Sequence, residues 1–170
     1  MSIVLIGYRG SGKSTVGRRL ADRLWWKFAD SDDAIVQRAG RSIREIFQQQ
    51  GEPVFRDLEA SVIAELCALP DHVLALGGGA VLREENRQAM RAGGNKVVYL
   101  RCDPEALYQR IHSDPATSDS RPNLTAAGGL EEVRELLAQR EPLYRSVATA
   151  ELDVTNLDAI EVVQRVVRLI

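Results

Sequence analysis

Short apolar runs alternate with segments of helical period along the whole chain. The first, IVLIG from Ile3 to Gly7, is continuously apolar and ends at glycine, which predicts a strand buried on both faces. From Lys13 to Leu24 the apolar residues Val16, Leu20, Ala21 and Leu24 recur at helical spacing. KFAD, Lys27 to Asp30, predicts a very short strand, followed by a helix with Ser31 or Asp32 near its start. SIREIFQQQ reads as a short helix capped by Ser42, and a longer helix follows from about Glu52 to Leu69, stopping before Pro70. HVLALGGGA repeats the strand-to-glycine pattern, with a helix from Arg83 to Met90. KVVYLRC is a further buried strand, and Asp103-Pro104 opens a helix through about His112. Ser113 to Gly129 is polar, rich in Gly, Pro, Ser and Thr, without period, and reads as a mobile loop. A helix from Leu130 to about Tyr144, a strand from Glu151 to Val154 and a helix from Ala159 to Leu169 complete the pattern.

Five short strands alternating with helices, and no hairpin signal between them, predict an α/β fold with a parallel sheet and right-handed crossovers. At 170 residues, with neither an internal repeat nor a linker, the expectation is a single domain over residues 1–170. Loops as long as the polar one are usually functional, so it reads as a lid over an active site, about residues 113–128. Trp25 and Trp26 read as core and surface packing ahead of the second strand.

Composition narrows the partners more than the fold. The formal net charge is −2 and no block of like charge stands out, so neither nucleic acid nor an anionic membrane surface is an expected partner. No apolar run approaches the ~20 residues a membrane helix needs. The first strand begins by Ile3, which leaves no room for a cleaved targeting segment, and the expected location is cytoplasmic. Cys67 and Cys102 lack any C-x-x-C spacing and read as small buried hydrophobes in a reducing compartment. Arginine outnumbers lysine, which occurs only as Lys13, Lys27 and Lys96, so an arginine carries weight only where a motif points to it.

The first strand-to-helix turn carries the clearest chemistry. GYRGSGKS, Gly7 to Ser14, matches G-x-x-x-x-G-K-[ST] in the strand–turn–helix context that the pattern requires. Glycines permit a tight turn in which successive backbone N–H groups converge on phosphate oxygens, and the following helix adds the positive end of its dipole. The expected ATP contacts are Gly10, Ser11, Gly12, Lys13, Ser14 and Thr15. Lys13 reaches the β- and γ-phosphates, and the Ser14 hydroxyl ligates Mg²⁺.

A phosphate cradle does not name the acceptor. No apolar strand ends in the aspartate of an energy-coupling ATPase, and no N-K-x-D reads guanine, since the third strand ends in GGG and Asn156 is followed by Leu and Asp. The carboxylates appear after the second strand, as Asp30, Asp32 and Asp33. At the carboxyl end of a parallel strand they face the crevice of the phosphate loop. One can hold a Mg²⁺-bound water, and another can accept a hydrogen bond from a substrate hydroxyl and orient its oxygen for in-line attack. Capping of the next helix by Asp32 and Asp33 is the alternative use of the same residues.

GYRGSGKSTVGRRLA, FADSD, GRSIREIFQQQGEPVFRDLE, LALGGGAV, RP and REPLYR, in that order, resemble the shikimate kinase family from Ile3 to about Asn156. The resemblance implies a three-layer P-loop kinase fold, with a five-stranded parallel sheet in order 2-3-1-4-5, helices at about 31–69 binding the acceptor, and a lid. It implies transfer of the γ-phosphate of ATP to the 3-hydroxyl of shikimate by a Mg²⁺-dependent monomer. By similarity Asp32 binds the substrate hydroxyls and acts as base or orienter, Asp30 stands near the metal's water shell, and Asp33 is surface. Arg56 in GEPVFR and Arg140 in REPLYR match the carboxylate-binding arginines, as the planar fork of a guanidinium suits. Gly77, Gly78 and Gly79 match a run that lets the substrate ring approach backbone. Arg121, in the R-P dipeptide, matches a lid arginine that reaches the transferred phosphate and counts, with Lys13 and Asp32, as catalytic. Arg110 matches a residue packed on adenine.

Ten residues, IHSDPATSDS, separate Arg110 from Arg121, a longer lid than many members carry, and TNLDA has no arginine where some members do. A gluconate-kinase-like enzyme could share the fold and phosphate loop with other acceptor contacts. A nucleotide-binding module without catalysis would lack the acceptor carboxylate or the lid arginine.

Overall fold

The computed structural model describes residues 1–113 and 129–170. Its strands are β1 Ile3–Ile6, β2 Lys27–Asp30, β3 His72–Ala75, β4 Lys96–Arg101 and β5 Ala150–Asp153. They form one parallel sheet in the order β2-β3-β1-β4-β5, as the family resemblance implied. The helices are α1 Lys13–Leu24, α2 Ser31–Ala39, α3 Ile43–Cys67, α4 Glu84–Arg91, α5 Pro104–Ser113, α6 Gly129–Val147 and α7 Ala159–Leu169. Single 3₁₀ turns at Ala80–Leu82 and Ala92–Gly94 flank α4.

The central position of β1 explains its unbroken apolar run. It pairs with β3 on one side, Ile3 opposite Val73, and with β4 on the other, Ile3 opposite Lys96. All four of its residues are buried, because helices cover both faces. The chain steps from β1 leftward to β2, then rightward through β3, β4 and β5. Right-handed crossovers therefore put α1 on one face and the β2-to-β5 connections on the other. The packing agrees: α1 meets β3 and α7, while α3 meets α4, α4 meets α6, and α6 meets α5.

Local chemistry sets most boundaries. Ser42 Oγ accepts from the Glu45 N–H at 3.2 Å, and the Ser42 N–H donates to Glu45 Oε2 at 2.7 Å, a capping box that starts α3 where the sequence suggested. Asp158 and Glu161 start α7 in the same way. The two helices expected over this region appear as one element broken at Gly51, whose φ of 82° is helix-incompatible, with Pro53 in the first turn beyond it. Its regular part ends at Cys67, two residues short of the expected Leu69. In contrast α6 runs three residues past Tyr144, through Pro142, because Tyr144 and Val147 are both buried in the core. Trp25 caps α1 in a left-handed conformation and is 95 % exposed, while Trp26 packs half-buried on the core. Cys67 and Cys102 are buried free thiols, and burial pushes Cys67 up to about 12, so it remains protonated.

Two apolar clusters result. The large one surrounds the sheet, and a smaller one of Ile35, Ile46, Phe55 and Val62 lies between α2 and α3. The α2–α3 pair thus carries its own packing and stands as a wall beside the carboxyl ends of β2 and β3. No described helix is long and apolar enough to cross a membrane.

Candidate active site

The phosphate loop leaves β1 at the centre of the sheet and enters α1 through Gly12. Gly12 holds φ 90° and no side chain caps the helix, so the first N–H groups of α1 remain turned toward the crevice. Lys13 folds back over the loop, its Nζ donating to the Gly7 and Tyr8 carbonyls at 2.9 Å each. The Ser14 hydroxyl donates to Asp30 Oδ2 at 2.6 Å. Asp30 Oδ1 accepts from the Asp32 N–H at 2.9 Å, which makes Asp30 the N-cap of α2. One carboxylate thereby joins the helix of the phosphate loop to the helix that carries Asp32. Helix capping, left open for Asp32 and Asp33, falls to Asp30 instead, and Asp33 is an exposed partner of Arg18 at 3.5 Å.

Asp32 is steered by its neighbour. Ser31 Oγ, fully buried, accepts from the Gly77 N–H at 2.9 Å and seats the start of α2 on the end of β3. Asp32 then lines a pocket with Arg56, Gly77, Gly78, Gly79 and Arg140, so the five acceptor contacts implied by resemblance meet Asp32 in one place. Ile43, Phe47 and Phe55 supply its apolar wall, the two phenylalanine rings 4.7 Å apart.

Two carboxylates hold Arg56. Its Nη1 donates to Glu59 Oε2 at 2.7 Å, and its Nε and Nη2 donate to Glu52 Oε1 at 3.1 and 3.0 Å. Glu59 is 1 % exposed; burial pushes its carboxyl above the usual range and the Arg56 guanidinium draws it back. A raised carboxyl pKa means that, above the ordinary 4.5, the folded protein keeps a proton the unfolded chain has released. Stability contributed at Glu59 therefore falls as pH rises through that window. Urea midpoints of the parent and of Glu59→Gln are expected to diverge there, the parent losing relative stability as pH rises; parallel profiles would contradict the assignment.

The glycine run makes room for protein side chains. A Cβ on Gly79 would lie 2.5 and 2.7 Å from Arg56 Nη1 and Nη2, and one on Gly77 would lie 2.8 Å from Asp32 Oδ1. The guanidinium is the far end of a flexible chain and can yield. Gly79→Ala is therefore expected to weaken acceptor binding while the thermal midpoint hardly moves; an unaltered acceptor KM would argue against this placement of Arg56.

Arg140 is buried, with its guanidinium carbon 5.7 Å from the Tyr8 ring centre. Tyr144 donates to the Gly78 carbonyl at 2.6 Å and stacks on Tyr99 at 4.9 Å, which ties α6 to the glycine turn. Burial pushes the Tyr144 phenol up, against the pull of the Arg140 charge. On the nucleotide side, Arg110 Nη2 donates to the Val154 and Thr155 carbonyls at 2.9 and 3.0 Å, which joins α5 to the loop after β5. Ile111, next to it, lies 3.0 Å from where a Gly10 Cβ would be. Arg121 and the expected lid lie outside the described residues, save Ser113, which ends α5.

Two charged residues of the pocket, Arg9 and Glu59, had no assignment from sequence, and neither did Glu132, which pairs with Arg9. Glu59 had a readable signal, its i,i+3 spacing from Arg56. Arg9 occupies a loop position where the phosphate pattern admits any residue, and Glu132 meets it across 123 positions.

The sheet, the phosphate loop and the adjoining acceptor pocket define a P-loop kinase. The profile of the shikimate kinase family matches residues 9–170, and the chain belongs to that family. It is 50 % identical over 150 residues to the shikimate kinase of Paracidovorax citrulli, covering 87 % of this chain and 79 % of that one. It is 44 % identical to the shikimate kinase of Neisseria gonorrhoeae, over 98 % of this chain and 94 % of the relative. Among solved structures, the shikimate kinase of Acinetobacter baumannii in complex with shikimate superposes with a TM-score of 0.91 at 38 % identity, covering 99 % of this chain and 91 % of that one.

Proposed function

We propose that this chain transfers the γ-phosphate of ATP to the 3-hydroxyl of shikimate, giving shikimate 3-phosphate and ADP, on the route to chorismate and the aromatic amino acids. The observation that carries the reading is a pocket against the phosphate loop in which the Asp32 carboxylate meets the arginine forks of Arg56 and Arg140, with Arg56 paired to the Glu59 carboxylate that also lines it. Such a pocket suits a polyhydroxylated ring with one carboxylate.

The acceptor carboxylate is taken by the Arg56 and Arg140 forks, and Asp32 accepts a hydrogen bond from the attacking hydroxyl. The hydroxyl oxygen forms its bond to the γ-phosphorus as the bond to the β–γ bridging oxygen breaks, and the hydroxyl proton passes to Asp32. Lys13, the Gly10 to Thr15 backbone and Arg121 hold the transferring charge, and Arg110 supports the adenine side. The Ser14 hydroxyl and Asp30 carboxylate are hard oxygen donors 2.6 Å apart, a fit for Mg²⁺. Among the described residues there is no cluster of three His, Cys, Asp or Glu to cage an ion, and a cation completed by phosphate oxygens and water needs none. When bound, Mg²⁺ neutralises charge developing on the phosphates. Donor and acceptor sites both come from one chain, in keeping with a monomer, acting in the cytoplasm where ATP is abundant.

Purified protein with Mg-ATP is expected to release ADP on addition of shikimate and not on addition of gluconate. No shikimate-dependent release at saturating ATP overturns the reading. ATP binding without turnover on either acceptor would favour a non-catalytic nucleotide module.

A further inference from the structure

Phosphate loops read phosphate with backbone, so the side chains between the glycines are chemically unassigned. Arg9 is one of these, yet its side chain is only 14 % exposed and lines the acceptor pocket rather than solvent. Gly78 places it. A Cβ there would lie 3.3 Å from the Arg9 nitrogen and 3.7 Å from Arg140 Nη1, so the Arg9 backbone and the Arg140 fork approach the same glycine. Arg9 Nη2 donates to Glu132 Oε1 at 3.2 Å, and the Glu132 side chain is 1 % exposed. Arg9 Nε is buried with no hydrogen-bond partner among the described residues, an unfavourable state for a charged donor.

We propose that Arg9 is a third cation for the acceptor carboxylate, beside Arg140, and that Glu132 is its positioning residue. The inference rests on the shikimate reading above. A cation in the phosphate loop is drawn toward the triphosphate by simple Coulomb attraction. The Glu132 carboxylate, buried on the first turn of α6, holds the guanidinium on the acceptor side instead. The consequence is geometric: the acceptor carboxylate is anchored to the same loop that holds the donor phosphates. The distance from hydroxyl to γ-phosphorus then depends on one rigid turn rather than on two independent elements.

The test is steady-state kinetics of the full chain with shikimate and with its uncharged primary amide, for the parent, Arg9→Met, Arg9→Lys, Glu132→Gln and the double variant Arg9→Met/Glu132→Gln. Arg9→Met is expected to raise the shikimate KM about tenfold, the loss of one charge-assisted contact, with the ATP KM unchanged. With the amide the same substitution is expected to make little difference, because no charge remains to be read. Arg9→Lys should fall between parent and methionine variant. Glu132→Gln should raise the shikimate KM in the parent and add nothing in the Arg9→Met background. A rise in ATP KM, or an equal loss with the amide, overturns the role of Arg9; additive losses overturn that of Glu132. Should Arg9→Met fail to fold, Arg9→Lys and Glu132→Gln, which preserve size, carry the same comparison. A parent inactive on shikimate overturns the function itself, whereas an active parent with an unaltered Arg9→Met overturns only this inference.

Discussion

Asp32→Asn is expected to lower kcat by about 10²- to 10⁴-fold, the usual worth of a positioned general base, with ATP affinity nearly unchanged. The two effects are expected to separate because the substitution alters the carboxylate proposed to meet the acceptor and keeps the backbone N–H that supports Asp30. The Asp32 N–H bonds Asp30 Oδ1 at 2.9 Å, and the substitution leaves that bond in place. Asp30 accordingly continues to receive the Ser14 hydroxyl. Asparagine also matches aspartate in size, which matters where Asp32 Oδ1 lies 2.8 Å from the Gly77 Cβ direction. Nucleotide titration and stopped-time turnover on one preparation check both halves. Unchanged turnover would remove Asp32 from the mechanism.

Arg56→Ala is expected to act on binding and on the fold together. Losing a charge-paired fork that is only 11 % exposed costs about 2–5 kcal/mol of acceptor binding, roughly 30-fold or more in KM. The same change leaves Glu59, 1 % exposed, without the guanidinium that compensates it. Breaking a buried pair from one side destabilises by about 3–5 kcal/mol. The two losses can be parted: adding Glu59→Gln to Arg56→Ala removes the stranded charge and should restore stability without restoring acceptor binding. A double variant no more stable than Arg56→Ala would mean that Glu59 does not carry the penalty.

These expectations draw on residues of very different legibility. The phosphate loop was readable at once because its donors are backbone groups, and their arrangement follows from contiguous glycines and a strand-to-helix turn. Asp30 and Asp32 were readable as candidates from their place after a short strand, but not their division of labour. Capping was open to Asp32 or Asp33 in the sequence, and only the folded chain gives it to Asp30, through the Asp32 N–H. Arg56 and Arg140 look like ordinary helical arginines in isolation; resemblance to a family singled them out. The glycine run was expected to admit a substrate ring, and its nearest calls on space come from Arg56 and Asp32 themselves.

Helix and strand positions, the parallel sheet and the donor loop all rest on interactions between residues close in sequence, or on burial periodicity, so pattern sufficed for them. Strand order came only by likeness to a family, since periodicity does not say which strands pair. The acceptor pocket belongs to tertiary structure. Arg9 and Glu132 meet across 123 positions, Gly78 and Tyr144 across 66, and Ser31 and Gly77 across 46. No local rule encodes such pairs, because each exists only after the sheet has brought the ends of β1 and β3 and the face of α6 to one crevice.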